Sequence, residues 1–164
     1  MNPTWQNLAD KLRTELAEHG ALLQLYNEQQ ECLFRRDANG VLHFTNLIEQ
    51  QVEHLQVLRR DREENTAAFA LQHERPADST LRSLLPCIEA NARPLLEALI
   101  GEVNHLIHRV RRASRHNHHL LARTVELQRE TLRSLRPSEM PDTYAATGRL
   151  AFGGSVSGNF CTAR

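Results

Sequence analysis

Residues 94–136 constrain this chain more than any other stretch. No proline follows Pro94 within them and no glycine follows Gly101. Leu96, Leu99, Val103, Leu106, Val110, Ala113, Leu120, Leu121, Thr124, Leu127, Thr131, Leu132 and Leu135 recur mainly at gaps of three and four. That spacing puts side chains on one face of an α-helix. At about 1.5 Å per residue, a helix of this length is a rod on the order of 65 Å long. Such a rod cannot hide its own apolar stripe, so the rest of the chain is expected to cover it.

Two further helices are available for that task. In the first, Trp5, Leu8, Leu12, Leu16, His19, Leu23, Tyr26 and Leu33 share one stripe, with Asn2 or Thr4 as its cap. Gly20 interrupts it at a cost of about 1 kcal/mol relative to alanine, which a packed helix tolerates. The run Arg35 to Gly40 reads as a reversal or kink, with Asp37 or Asn39 as the next cap. The second helix is expected from near Asp37–Val41 to about Ala70. Its stripe is Val41, Phe44, Ile48, Val52, Leu55 and Leu58, with Phe69 as a further candidate. The mixed charges from Arg59 to Glu64 read as a solvated face. After a loop from His73 to Ser79, Ser79 caps a short helix carrying Leu81, Leu84 and Leu85, which Pro86 bends or ends. No strand-like alternation of any length occurs. The expected fold is all-α: an elongated antiparallel bundle of three long helices plus one short helix over residues 1–136. Pro137, Pro141 and the glycines and serines after them make residues 137–164 an expected flexible tail.

The formal net charge is zero, but its placement is uneven. Lysine and arginine number 10 against 16 aspartate and glutamate in residues 1–102, and 10 against 4 in residues 103–164. An acidic front and a basic back favour self-packing between them or an acidic partner. Cys32, Cys87 and Cys161 form no CxxC and cannot all pair within one chain. The N-terminus has no secretory pattern, and no apolar run reaches the eighteen or so residues of a membrane span. A reduced, cytoplasmic protein is the expectation.

Little in the chain suggests reaction chemistry. His105 with His108, and His116 with His119, are spaced as i, i+3, as two metal ligands on a helix can be. The two pairs lie about 16 Å apart along a helix and cannot share one ion, so surface histidines are the reading and no metal or other cofactor is expected. Arg109, Arg111, Arg112, Arg115 and Arg123 form a basic run without interleaved aromatics, so a basic face that meets the acidic first half, or an acidic partner, is favoured over nucleic acid. No phosphate-binding loop, dinucleotide fingerprint, nucleophile elbow or HExxH is present, and the chain is not expected to be an enzyme. The far end of the rod, from Leu120 to Leu135, can outrun shorter partner helices and take another helix lengthwise.

Several of these residues fall in a familiar order. Trp5, Leu8 and Leu12 open the chain. Asp37 then precedes Val41, Phe44, Leu55, Leu58 and Arg62, and the leucines of 81–85 follow. Asn117 leads into Leu120, Leu121, Leu132 and Leu135, and Thr143-Tyr144 with Gly148-Arg149 lies just beyond the rod. In this the chain resembles the FlgN family of flagellar export chaperones over nearly the whole helical region and the start of the tail. It departs at Ser114, where relatives often carry a second asparagine, at Ile48, where lysine is common, and after Leu150. The resemblance implies a cytoplasmic, non-enzymatic chaperone of flagellar type III secretion. Its clients are the disordered terminal segments of hook–filament junction proteins (FlgK- and FlgL-like), and it docks on the export gate protein (FlhA-like). It also implies a client surface of Asn117, Leu120, Leu121, Thr124, Leu127, Thr131, Leu132 and Leu135, with Tyr144 for the gate. A structural coiled-coil adaptor, self-associating through the same stripe, is the alternative.

Overall fold

A computed structural model describes residues 4–135. The expected tail, with Tyr144 and Cys161, lies outside the described residues. The chain forms α1 (Trp5–Arg35), α2 (Ala38–Gln72), a 3-10 helix (Leu85–Cys87) and α3 (Arg93–Leu135), with no strand among the described residues. The all-α expectation holds, and the long helices begin and end within about two residues of where caps and breakers put them.

Local chemistry accounts for those limits. Thr4 caps α1 by accepting from the Asn7 amide at 3.3 Å. Arg36 adopts the left-handed conformation, φ 58°, and its amide closes the end of α1 on the Cys32 and Leu33 carbonyls. Asp37 follows at once as the cap of α2, accepting from the Gly40 amide at 3.0 Å. The reversal is therefore a two-residue corner, and it makes α1 and α2 an antiparallel hairpin.

The short helix expected over Ser79–Leu85 is corrected. Its amides bond three residues back, Ser83 to Thr80, Leu84 to Leu81 and Leu85 to Arg82, and the sequence ends in the 3-10 helix that contains Pro86. Proline has no amide to bond the Arg82 carbonyl, and its ring disfavours α geometry at Leu85. Two of its leucines, Leu81 and Leu84, are buried, and Leu85 is half-buried. Arg93, at the start of α3, pins this segment by donating to the Ile88 and Pro86 carbonyls, each at 2.9 Å.

Residues 1–122 form one compact unit. A second begins at Arg123, and its described part is the helical run to Leu135. The first unit has two apolar clusters. The larger joins Leu8 and Leu12 of α1, Phe69 and Ala70 of α2, Leu84 and Ile88 of the connection, and Leu96 and Val103 of α3. The smaller joins Leu22, Ile48, Leu55 and Val110. Successive helices are antiparallel, so α1 and α3 run the same way.

The charge run in α2 differs from expectation. Arg59 and Glu63 do form a surface pair, in which the guanidinium hydrogen bond draws the Glu63 carboxyl below its usual range. Arg62, however, turns inward and donates to Glu15 at 2.6 Å, a carboxylate only 3 % exposed, while Lys11 pairs with Asp61. Gln51 donates to the Glu18 carboxylate at 2.6 Å, and Gln29 to Thr45 at 3.0 Å. The run ties α2 to α1 as well as facing water.

Candidate segment-binding surface

Along α3 the buried residues are Leu96, Val103, Val110 and Asn117, each seven after the last. A seven-residue repeat is the seam of a helix packed against neighbours running alongside it. The next two positions in the same register are Thr124 and Thr131, so the seam turns polar from Asn117 onward. Asn117 itself is committed inside the first unit: its amide nitrogen donates to the Tyr26 carbonyl at 2.7 Å and to the Gln29 side-chain oxygen at 3.0 Å, both on α1. A buried amide held this way fixes the register of α3 on α1.

The residues expected to hold a client divide accordingly. Asn117 is buried, Leu120 and Thr124 are half-buried, and Leu121, Leu127, Thr131, Leu132 and Leu135 are exposed. Exposure climbs from 42 % at Leu121 to 51 % at Leu127, 62 % at Leu132 and 72 % at Leu135. The Thr131 hydroxyl donates to the Leu127 carbonyl at 2.8 Å, one turn back on the same helix. Val125, also exposed, was not expected at the surface, although it follows Leu121 by four residues and was findable from that spacing.

Charge sharpens the picture. Every described ion pair lies within α1 and α2. Arg109, Arg111, Arg112, Arg115, Arg123, Arg129 and Arg133 of α3 have no carboxylate partner among the described residues. Of the two sequence expectations for the basic run, pairing with the acidic front is therefore not what the described residues do.

Among the cavities of the first unit are two of about 530 Å3 and 260 Å3, both lined by all three helices. The larger holds Glu15, His19 and Arg62 beside Leu22, Val52 and Ile107. His19 Nδ1 is buried there without a hydrogen-bond partner. Burial pushes the His19 pKa down, with the Glu15 carboxylate partly opposing. The pairing of Arg62 with Glu15 was not expected; its only signal was a carboxylate on the apolar side of α1, three residues after Leu12.

Among the described residues no three histidine, cysteine, aspartate or glutamate side chains converge as metal ligands do, and no helix is long and apolar enough to cross a membrane. Cys32 and Cys87 are free thiols. The fold and surface define an all-helical bundle protein whose last helix presents leucines and unpaired arginines. The chain belongs to the FlgN family, flagellar export chaperones: the family model for FlgN protein matches residues 1–151. No curated protein and no solved structure matches it.

Proposed function

We propose that this chain is a cytoplasmic chaperone of flagellar type III export. It holds the disordered terminal segments of hook–filament junction proteins, FlgK- or FlgL-like, and delivers them to an FlhA-like export gate. The observation that carries this reading is the exposed leucine row of α3, Leu121, Leu127, Leu132 and Leu135, beyond a seam that turns polar at Asn117. A client helix laid on that row buries leucines worth about 1.5–3 kcal/mol each when fully covered. Ordering a disordered client offsets much of that gain, which keeps affinity moderate and release feasible. Leu120, Thr124 and Thr131 complete the proposed surface, and Asn117 anchors its root. Residues 1–136 would act as the chaperone domain, and Tyr144, outside the described residues, is the proposed gate contact.

Co-purification tests both assignments. Removing residues 120–164 should abolish capture of a junction protein's terminal segment, and retention of the client by that truncation would sink the proposed surface. Tyr144→Ala should keep the client and weaken binding to the gate protein. A concentration-dependent increase in mass, with no client captured, would instead favour an adaptor that self-associates through the same row.

A further inference from the structure

The two cavities share one plan. In each, the α1 residues are buried or half-buried: Glu15, His19 and Leu22 in the larger, Tyr26, Gln29 and Leu33 in the smaller. The exposed lining comes from α2 and α3. It is Gln56 and Arg59 facing Asn104, His108 and Arg111 in the larger cavity, and Glu49 facing His118 and Leu121 in the smaller. The two cavities follow one another along the helices as two basins of a trough, each with α1 as its floor and α2 and α3 as its rims. Asn104 to Leu121 covers about 25 Å of helix, the length of a partner helix of about seventeen residues.

We propose that this trough seats a partner's acidic amphipathic helix, whose apolar face fills both cavities and whose carboxylates meet the α3 rim at Arg111 and His118. The proposal rests on the chaperone reading only for the source of that helix, a client's terminal segment. Its occupant follows from the rims and the floor. The α3 rim is cationic and unneutralised: Arg111 has no ion pair among the described residues, and Arg115 stands one turn further along. On the α2 rim Arg59 is already held by Glu63. A helix with carboxylates toward α3 and away from Glu49 therefore gains new pairs, and a helix with basic residues toward α3 meets repulsion from Arg111. The α1 floor offers Leu22 and Leu33 for apolar contact, and it offers the unpartnered His19 Nδ1 to a hydroxyl or amide of the occupant.

The test uses the full chain and two designed, fluorescently labelled peptides of about seventeen residues. Both carry leucines at helical spacing, one flanked by glutamates and the other by lysines. The glutamate peptide should bind, the lysine peptide should not, and Arg111→Glu with His118→Glu should weaken binding about tenfold or more. Arg60→Glu makes a similar charge change away from the trough and should leave binding unchanged. Circular dichroism should show equal helicity in all variants, and the milder Arg111→Gln, which should weaken binding to a lesser degree, serves as a second measure if the double variant misfolds. Equal binding of both peptides, no binding of either, or indifference to Arg111 overturns the proposal. So does dimerisation lost on Arg111→Glu, which would make a second copy the occupant, or an RNA oligonucleotide taken up by the same residues in place of the peptide. Capture of a junction-protein segment, measured in parallel, separates the two readings. Its failure with peptide binding intact removes the client role alone, and the reverse removes the trough alone.

Discussion

At the scale of single residues, the Glu15–Arg62 pair is the most consequential polar contact in the bundle. A carboxylate taken almost wholly out of water is tolerable only with its partner in place. Arg62→Ala should lower unfolding stability by about 3–5 kcal/mol in a urea titration. Replacing both residues, Glu15→Met with Arg62→Leu, should cost far less, because no charge is then stranded. His19 makes a second prediction. Its folded pKa lies below the ordinary value of 6.5. As pH falls past that value, the unfolded chain takes up a proton that the folded chain resists, so stability present above it is lost on acidification. Glu15, Arg59 and Arg62, with His108 and Arg111 across the cavity, are the charged and titratable groups around it. Melting temperature should fall more between about pH 7.5 and 5.5 in the native chain than in His19→Gln, which does not titrate there. Equal slopes would show that His19 protonates freely in the fold.

At the scale of elements, the α1–α2 corner depends on Asp37 reaching the Gly40 amide. A Cβ on Gly40 would meet Asp37 Oδ2 at 2.5 Å and Cys32 Sγ at 2.7 Å, so the cap would have to move. Gly40→Ala should therefore destabilise by about 0.5–2 kcal/mol, the range for losing a helix cap, in spite of alanine's better helix propensity. No change in the unfolding midpoint would mean the cap is dispensable. These caps and breakers were legible from residue type alone, as were the stripes through Leu8, Leu12, Leu55 and Leu96. The segment after Ser79 was legible only in part. Its leucines were placed on a short helix, but three-residue spacing serves a 3-10 turn as well as an α-helix, and Pro86 decides between them. Pairing across helices was not legible. Nothing local says that Arg62, among six consecutive charges, finds Glu15, or that Asn117 finds the Tyr26 carbonyl ninety-one residues earlier. The leucines of the proposed client row were found as a stripe, but their exposure depends on what covers them and is a property of the folded chain.

At the scale of the whole molecule, the charge imbalance between front and back has a structural counterpart. The acidic front forms its ion pairs within α1 and α2, while the arginines from Arg109 to Arg133 are left unneutralised among the described residues. A chain of zero net charge thus carries a basic helix lined with exposed leucines, the combination suited to a partner that is apolar on one face and acidic beside it. Membership of the FlgN family makes a flagellar protein the fitting partner. The central claim is that the exposed leucines of α3 hold that partner. Calorimetric titration of the full chain with a junction protein's terminal segment tests it most directly, comparing the native chain with Leu127→Glu combined with Leu132→Glu. Both positions are exposed, so the helices should persist in the variant. Binding weakened at least about tenfold is the predicted result, and an unchanged dissociation constant would contradict the account.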